Sequence, residues 1–227
     1  MKTVFMFSGQ GAQYAGMGKN LYKNYPVAKE IFDRADNVLG YSIKDICFED
    51  EQKLGETEFA QPAILTMSIA AMKVLEEEGV RADMTAGLSL GEYSAYVASE
   101  AMDFEEAVAL VQKRGKFMAE AVPSGEGAMY AIIGLDTALV EEACAEATAE
   151  GDGLAVPANY NAPGQIVIAG HAQAAKRAAA LAKEKGAKLT VPLKVSGPFH
   201  TELLQPAAEK LGPELDKMHI SPMKMPV

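Results

Sequence analysis

The 227-residue chain reads as an α/β protein, a larger α/β unit interrupted by a small subdomain from about 127 to 196. Three observations predict this. Short apolar runs rich in β-formers open onto glycine turns and then helices, at Thr3–Phe7 and again at Met84–Leu88. Amphipathic stretches with helix start and stop signals alternate with them. Between 127 and 193 the elements follow the order β-α-β-β-α-β, the ferredoxin-like pattern.

Taken in order, Thr3–Phe7 is a continuous apolar run, which predicts a strand buried on both faces. It stops at Ser8-Gly9-Gln10-Gly11. Pro26 to Leu39 predicts a helix, with Pro26 in its first turn and Gly40 as its stop. Gln61 to Gly79 predicts another, with Pro62 near its start. Met84–Leu88 predicts a short strand, followed by a helical stretch to about 101. Asp103 is placed to cap a helix running to about Ala121. In the middle segment the predicted elements are a strand at Ala128–Ile133, a helix capped by Asp136 to about Ala149, and strands at Leu154–Ala158 and Gln165–Ala169. Asn161-Ala162-Pro163-Gly164 joins those two strands. A helix at His171–Lys185 and a strand at Lys188–Leu193 complete the segment. The chain re-enters the large unit through Ser196-Gly197-Pro198-Phe199-His200 and a helix to about Met218. Ser221 to Val227 reads as the approach to a strand.

Composition narrows the function. Hydrophobic residues make up 49% and charged residues 23%, which excludes a disordered or fibrous chain. The net charge of -10 argues against a nucleic-acid binder. Residues 127–196 carry 6 basic and 7 acidic side chains, against 15 and 24 in the rest, so an acidic partner would prefer the middle segment. No apolar run approaches the roughly 18 residues of a membrane span. The opening apolar stretch is too short for a secretory signal, which points to a cytoplasmic protein. Cys47 and Cys144 have no CxxC spacing and no neighbouring histidine. They read as small buried apolar residues rather than as a disulfide or zinc ligands, and no metal site is expected.

Gly87-Leu88-Ser89-Leu90-Gly91 fits G-x-S-x-G between a strand and a helix. Such a turn lifts a serine above the sheet edge and aims the amide of the following residue, Leu90, at a developing oxyanion. A serine nucleophile needs a base, and the chain has only three histidines. His219 lies near the C-terminus and reads as surface. His171 opens a predicted helix and reads as a cap or an exposed residue. His200, in a loop stiffened by Gly197 and Pro198, is the best base of the three. The Gly9-Gln10-Gly11 loop is placed to supply a second oxyanion amide from Gln10. Arg114 stands on a helix face shared with Leu110, Phe117 and Met118. An unpaired buried guanidinium is expensive. Arg114 therefore either pairs with an internal acid such as Glu92 or clamps a substrate carboxylate. Lys183, Lys185, Lys188 and Lys194 cluster late in the small subdomain, as a solvated face or as a surface for an acidic partner.

Five motifs stand in order: SGQGAQ from Ser8, GLSLGEYSA from Gly87, RGKFM from Arg114, NYNAPGQ from Asn159 and GPFH from Gly197. Together they resemble malonyl-CoA:acyl carrier protein transacylase of fatty acid synthesis, over nearly the whole chain. The resemblance implies an α/β-hydrolase-like large subdomain, 1–126 with 197–227, and an inserted ferredoxin-like subdomain, 127–196. It implies a ping-pong transfer of malonyl from malonyl-CoA to the pantetheine thiol of acyl carrier protein, with no cofactor. Ser89 would be nucleophile, His200 base, and Gln10 and Leu90 the oxyanion donors. Arg114 would hold the malonyl carboxylate, with Met118, Asn159, Asn161 and Phe199 lining the site. Two departures stand out. Leu88 replaces the family's usual histidine. Family members also continue past Val227 with a segment that supplies a glutamine or asparagine to orient the base, a strand and a glycine loop. That departure predicts a bare C-terminal edge through which the chain could associate. An esterase of similar architecture, and an inactive form that only binds carrier protein, are the alternative readings.

Overall fold

A computed structural model describes residues 2–123, 125–193, 195 and 197–227. They fold into two compact units, Met1–Lys116 with Leu211–Val227, and Phe117–Lys210.

In the first unit, β1 (Val4–Phe7) and β2 (Met84–Gly87) pair in parallel, with Val4 opposite Met84 and Phe7 opposite Gly87. Between them the chain makes five helices, α1 (Lys19–Asn24), α2 (Pro26–Leu39), α3 (Ile43–Glu49), α4 (Glu51–Leu54) and α5 (Thr57–Glu77). Helix α6 (Gly91–Ala98) and α7 (Phe104–Ala121) follow β2. α2 has the predicted bounds and ends on Gly40 in the left-handed conformation, φ 73°. Asp103 caps α7, its Oδ1 accepting from Glu106 N–H at 3.1 Å. α5 differs. It begins at Thr57, so Pro62 lies inside the helix rather than at its start. A proline has no N–H to give the carbonyl of Glu58, yet the apolar face of Ile64, Leu65 and Ile69 buries deeply enough to hold the turn. That face packs with Phe32, Val108 and Val111 into the core of the unit. Cys47 is buried there, and loss of hydration pushes its thiol up to about 12.

β1 corrects one expectation. Only Phe5 and Phe7 face the core, while Val4 is 43% and Met6 81% exposed. Among the described residues β1 has a single neighbour, β2. A groove of about 400 Å³ runs along β1, lined by all four of its residues and by Tyr14, Met67 and Leu75. The last residues form no strand. They lie beside β2 all the same, with the Pro226 carbonyl accepting from Thr85 N–H at 2.9 Å.

In the second unit, β3 (Gly127–Ile133), α8 (Thr137–Ala149), β4 (Ala155–Ala162), β5 (Gln165–His171), α9 (Ala172–Glu184) and β6 (Leu189–Pro192) build an antiparallel sheet of order β4-β5-β3-β6. This is the order a ferredoxin-like chain gives. Asp136 caps α8, its Oδ1 accepting from Ala138 N–H at 3.0 Å. β4 runs further than predicted, through Asn161, so the turn shrinks to Pro163-Gly164. Cys144 lies on the buried face of α8, its thiol also pushed up to about 12 by burial. A short 3-10 turn (Glu202–Leu204) leads into α10 (Gln205–Leu215), which ends in the first unit. Among the described residues no helix is long and apolar enough to cross a membrane.

Candidate active site

Ser89 sits in the turn between β2 and α6 with φ 52°. A left-handed backbone at a non-glycine residue costs about 1–3 kcal/mol and persists only where surrounding structure imposes it. Here main-chain crowding does so. A Cβ on Gly87 would fall 2.1 Å from the Gly91 carbonyl carbon, and one on Gly91 would fall 2.2 Å from the Phe7 oxygen. Both glycines of G-x-S-x-G are therefore required where β1, β2 and α6 converge. Leu88 N–H donates to Phe7 O at 3.1 Å, stitching the turn to β1. Leu90 is 1% exposed and anchors the turn in the core, whereas Leu88 projects outward, 55% exposed.

Two oxyanion donors need free N–H groups near the serine. Among the described residues, neither Gln10 N–H nor Leu90 N–H donates to a backbone carbonyl. The Gln10 side chain is tied down, with Nε2 donating to Thr57 Oγ1 at 3.0 Å. The neighbouring Gly11 N–H donates to Gln13 Oε1 at 2.8 Å.

Arg114, on α7, donates from Nη2 to Ser89 Oγ at 3.1 Å and from Nη1 to Gln61 Oε1 at 2.7 Å. The Tyr93 ring lies under its guanidinium, 5.5 Å from centroid to Cζ. Among the described residues no Asp or Glu forms an ion pair with it. The internal pair with Glu92 is not made. Burial pushes the Arg114 pKa below its usual value, opposed by the nearby Tyr93 and Glu92. The site thus holds a cation dressed by neutral partners beside a strained serine. Such a cation binds a carboxylate strongly, because the ligand replaces neutral contacts with charged, two-pronged ones.

Gln61, Thr57 and Tyr93 were not singled out from the sequence as site residues. Gln61 carries the clearest signal, a fully buried amide among the alanines, isoleucine and leucine of α5. A polar side chain in such a run asks for a partner.

The other candidates belong to the second unit. His200 also has a left-handed backbone, φ 62°, and is exposed. Its loop is clamped. A Cβ on Gly127 would fall 2.2 Å from Pro198 Cδ, and Thr201 Oγ1 donates to the Pro198 carbonyl at 2.8 Å. Phe199 is buried, 6% exposed, with Val122, Met129 and Leu204, and half-buried Met118 packs on the same cluster. Phe199 is thus a core residue that anchors the histidine loop. Asn159 and Asn161 stand on β4, half-buried and exposed. His171 is a strand-end lock, Nδ1 accepting from Leu154 N–H at 2.9 Å. His219 is exposed. Of the lysine cluster, Lys185 is committed to Glu142 and Glu146 at 2.9 Å each. Lys194, like Ser196 of the re-entry loop, lies outside the described residues. Among the described residues no group of three or more His, Cys, Asp or Glu converges to hold a metal.

A family model described as acyl transferase domain matches residues 4–227. The malonyl CoA-acyl carrier protein transacylase of Bacillus subtilis is 52% identical over 227 residues, covering 100% of this chain and 71% of that protein. A crystal structure of the Streptococcus pneumoniae enzyme of that type superposes with a TM-score of 0.91 at 52% identity, covering 99% of this chain and 73% of that one. A malonyl-transacylase solved in complex with a type II PKS acyl-carrier protein superposes with a TM-score of 0.95 at 42% identity. It covers 100% of this chain and 74% of that one.

Proposed function

Since the chain belongs to the acyl transferase domain family, we propose how its residues carry out that family's chemistry on one substrate class. The reaction is transfer of a malonyl group from malonyl-CoA to the thiol of acyl carrier protein, as in fatty acid synthesis. The observation that carries the assignment of roles is Arg114. A half-buried guanidinium, with only neutral partners and 3.1 Å from Ser89 Oγ, suits an acyl group that bears a second, free carboxylate. A neutral ester offers that cation nothing, which separates this reading from an esterase.

Ser89 Oγ attacks the thioester carbon and its proton passes to His200. The oxyanion of the tetrahedral intermediate is met by the N–H groups of Gln10 and Leu90, each donor worth about 10²–10³ in rate. Collapse expels the CoA sulfur, which takes the proton back from His200 and leaves malonyl-Ser89. The carrier thiol then attacks the ester carbonyl in the same geometry, giving its proton to His200, and Ser89 leaves as the alcohol. The same family reading gives Met118, Asn159 and Asn161 contacts to the substrate, with Phe199 holding the His200 loop. The same reading divides the chain into a large subdomain, 1–126 with 197–227, and an insert, 127–196. It also places the reaction in the cytoplasm with no cofactor beyond the CoA substrate.

The test is intact-protein mass after mixing with malonyl-CoA or acetyl-CoA. A malonyl adduct is expected on the parent and not on Ser89→Ala. Arg114→Ala is expected to lower malonyl loading by about 10- to 10²-fold, a charge-assisted pair being worth roughly 1.5–3 kcal/mol, and to spare acetyl loading. Equal losses for both acyl groups would overturn the carboxylate clamp.

A further inference from the structure

Thr57 and Gln61 stand four residues apart at the start of α5, on one face of the helix. Each holds a different part of the site. Gln61 Oε1 accepts from Arg114 Nη1 at 2.7 Å, and Thr57 Oγ1 accepts from Gln10 Nε2 at 3.0 Å. Thr57 is 1% exposed, so its hydroxyl works without competing water. Its carbonyl also sets the distance to α7. A Cβ on Gly115, the residue after Arg114, would lie 2.6 Å from Thr57 O and 2.9 Å from Glu58 Cα. One turn of α5 therefore touches the Gln10 loop through a hydroxyl and the Arg114 helix through bare backbone.

The Gln10 loop needs such a tether. Gln10 lies between Gly9 and Gly11, and Gly11 has φ 108°, a conformation open to glycine alone. Glycines on both sides leave the Gln10 peptide plane free to rotate unless its side chain is fixed. We propose that Thr57 is a positioning residue, one that aims the Gln10 main-chain N–H at the oxyanion by holding the Gln10 side chain. This rests on the reading of Gln10 as an oxyanion donor. It predicts an effect on the chemical step rather than on substrate binding, because the donor acts only where charge develops.

Thr57→Val keeps the shape and removes the acceptor, and Thr57→Ser restores it. Two readouts apply to each: single-turnover malonyl loading at varied malonyl-CoA, and amide hydrogen exchange at Gly11 in the unliganded chain. Thr57→Val is expected to slow maximal loading by about 10-fold or more, within the range of one oxyanion donor. The half-saturating concentration should stay unchanged, and exchange at Gly11, whose N–H is held by Gln13 Oε1, should accelerate while α5 and α7 keep their protection. Thr57→Ser should recover both. The proposal is overturned if Thr57→Val loads and exchanges like the parent, if Thr57→Ser is as impaired as Thr57→Val, or if only the half-saturating concentration moves. Should Thr57→Val fail to fold, Gln10→Met removes the same bond from the exposed side and must reproduce the faster exchange and slower loading. A parent that takes no malonyl at all would sink the functional reading, and the exchange data would still decide the tether.

Discussion

β1 and β5 both carry a continuous apolar run, VFMF and IVIAG, and they come to opposite ends. In β5, Ile166 and Ile168 enter the core beneath α8 and α9, while Val167 and Ala169 enter the cluster around Phe199. Both faces are covered, and β5 has a neighbour on each side. In β1, Phe5 and Phe7 reach a core, but Val4 and Met6 stay exposed, and an open groove runs along the strand. Apolar character thus records that a strand tolerates burial on both faces. What lies on each face is decided by distant elements.

The largest expected effect tests the backbone frame of the β1 side. Gly91→Ala drives a methyl group into the Phe7 carbonyl and should cost more than about 3 kcal/mol, beyond ordinary overpacking because backbone cannot yield. Urea unfolding measures it, and a loss below about 1 kcal/mol would mean that β1 and α6 can part. Next, Ile168→Ala removes a fully buried side chain of β5 and should cost about 2–5 kcal/mol. Met6→Lys, at an 81% exposed position, should stay within about 0.5 kcal/mol. If it costs as much as Ile168→Ala, the groove is covered in solution and the contrast between the strands collapses.

The smallest effect concerns how the chain returns to the first unit. Lys113 and Lys217 grip Glu214 and hold its carboxyl at about 2, well below its ordinary 4.5. A lowered folded pKa means that the stabilisation is present above about 4.5 and fades as pH falls toward about 2. Between those values, protection of the segment after Leu211 should decline in the parent. Lys113→Met should flatten that decline, and added salt should do the same in part, since the groups are exposed. An identical pH profile in both chains would remove the pair from the account.

Local signals were the legible ones. Gly40, Asp103 and Asp136 each act on a backbone a few residues away, so α2, α7 and α8 could be bounded from sequence. Short α1, α3 and α4 carry too few residues to show a period. Pro62 misled because proline usually marks a helix start, and here tertiary burial carries the helix past it. The serine turn was readable for the same local reason. The choice between partners for Arg114 was not, because Gln61 lies 53 positions away and no spacing rule connects them. Thr57 was invisible for the same cause, a contact 47 positions long. His200 was reached by comparing three histidines and by its stiff Gly-Pro loop, whereas the roles given to Asn159 and Asn161 came from resemblance to a family, not from their own surroundings.

The contact between Gly91 and the Phe7 carbonyl has a consequence for variation. The Ser89 backbone is located by main-chain atoms of β1, β2 and α6 that leave no room for a Cβ at either flanking glycine. Replacing Leu88, which points outward beside the serine, therefore changes the surface there without moving the Ser89 backbone. A fold arranged this way can alter which acyl groups it admits, one wall residue at a time, while inheriting its reactive geometry unchanged.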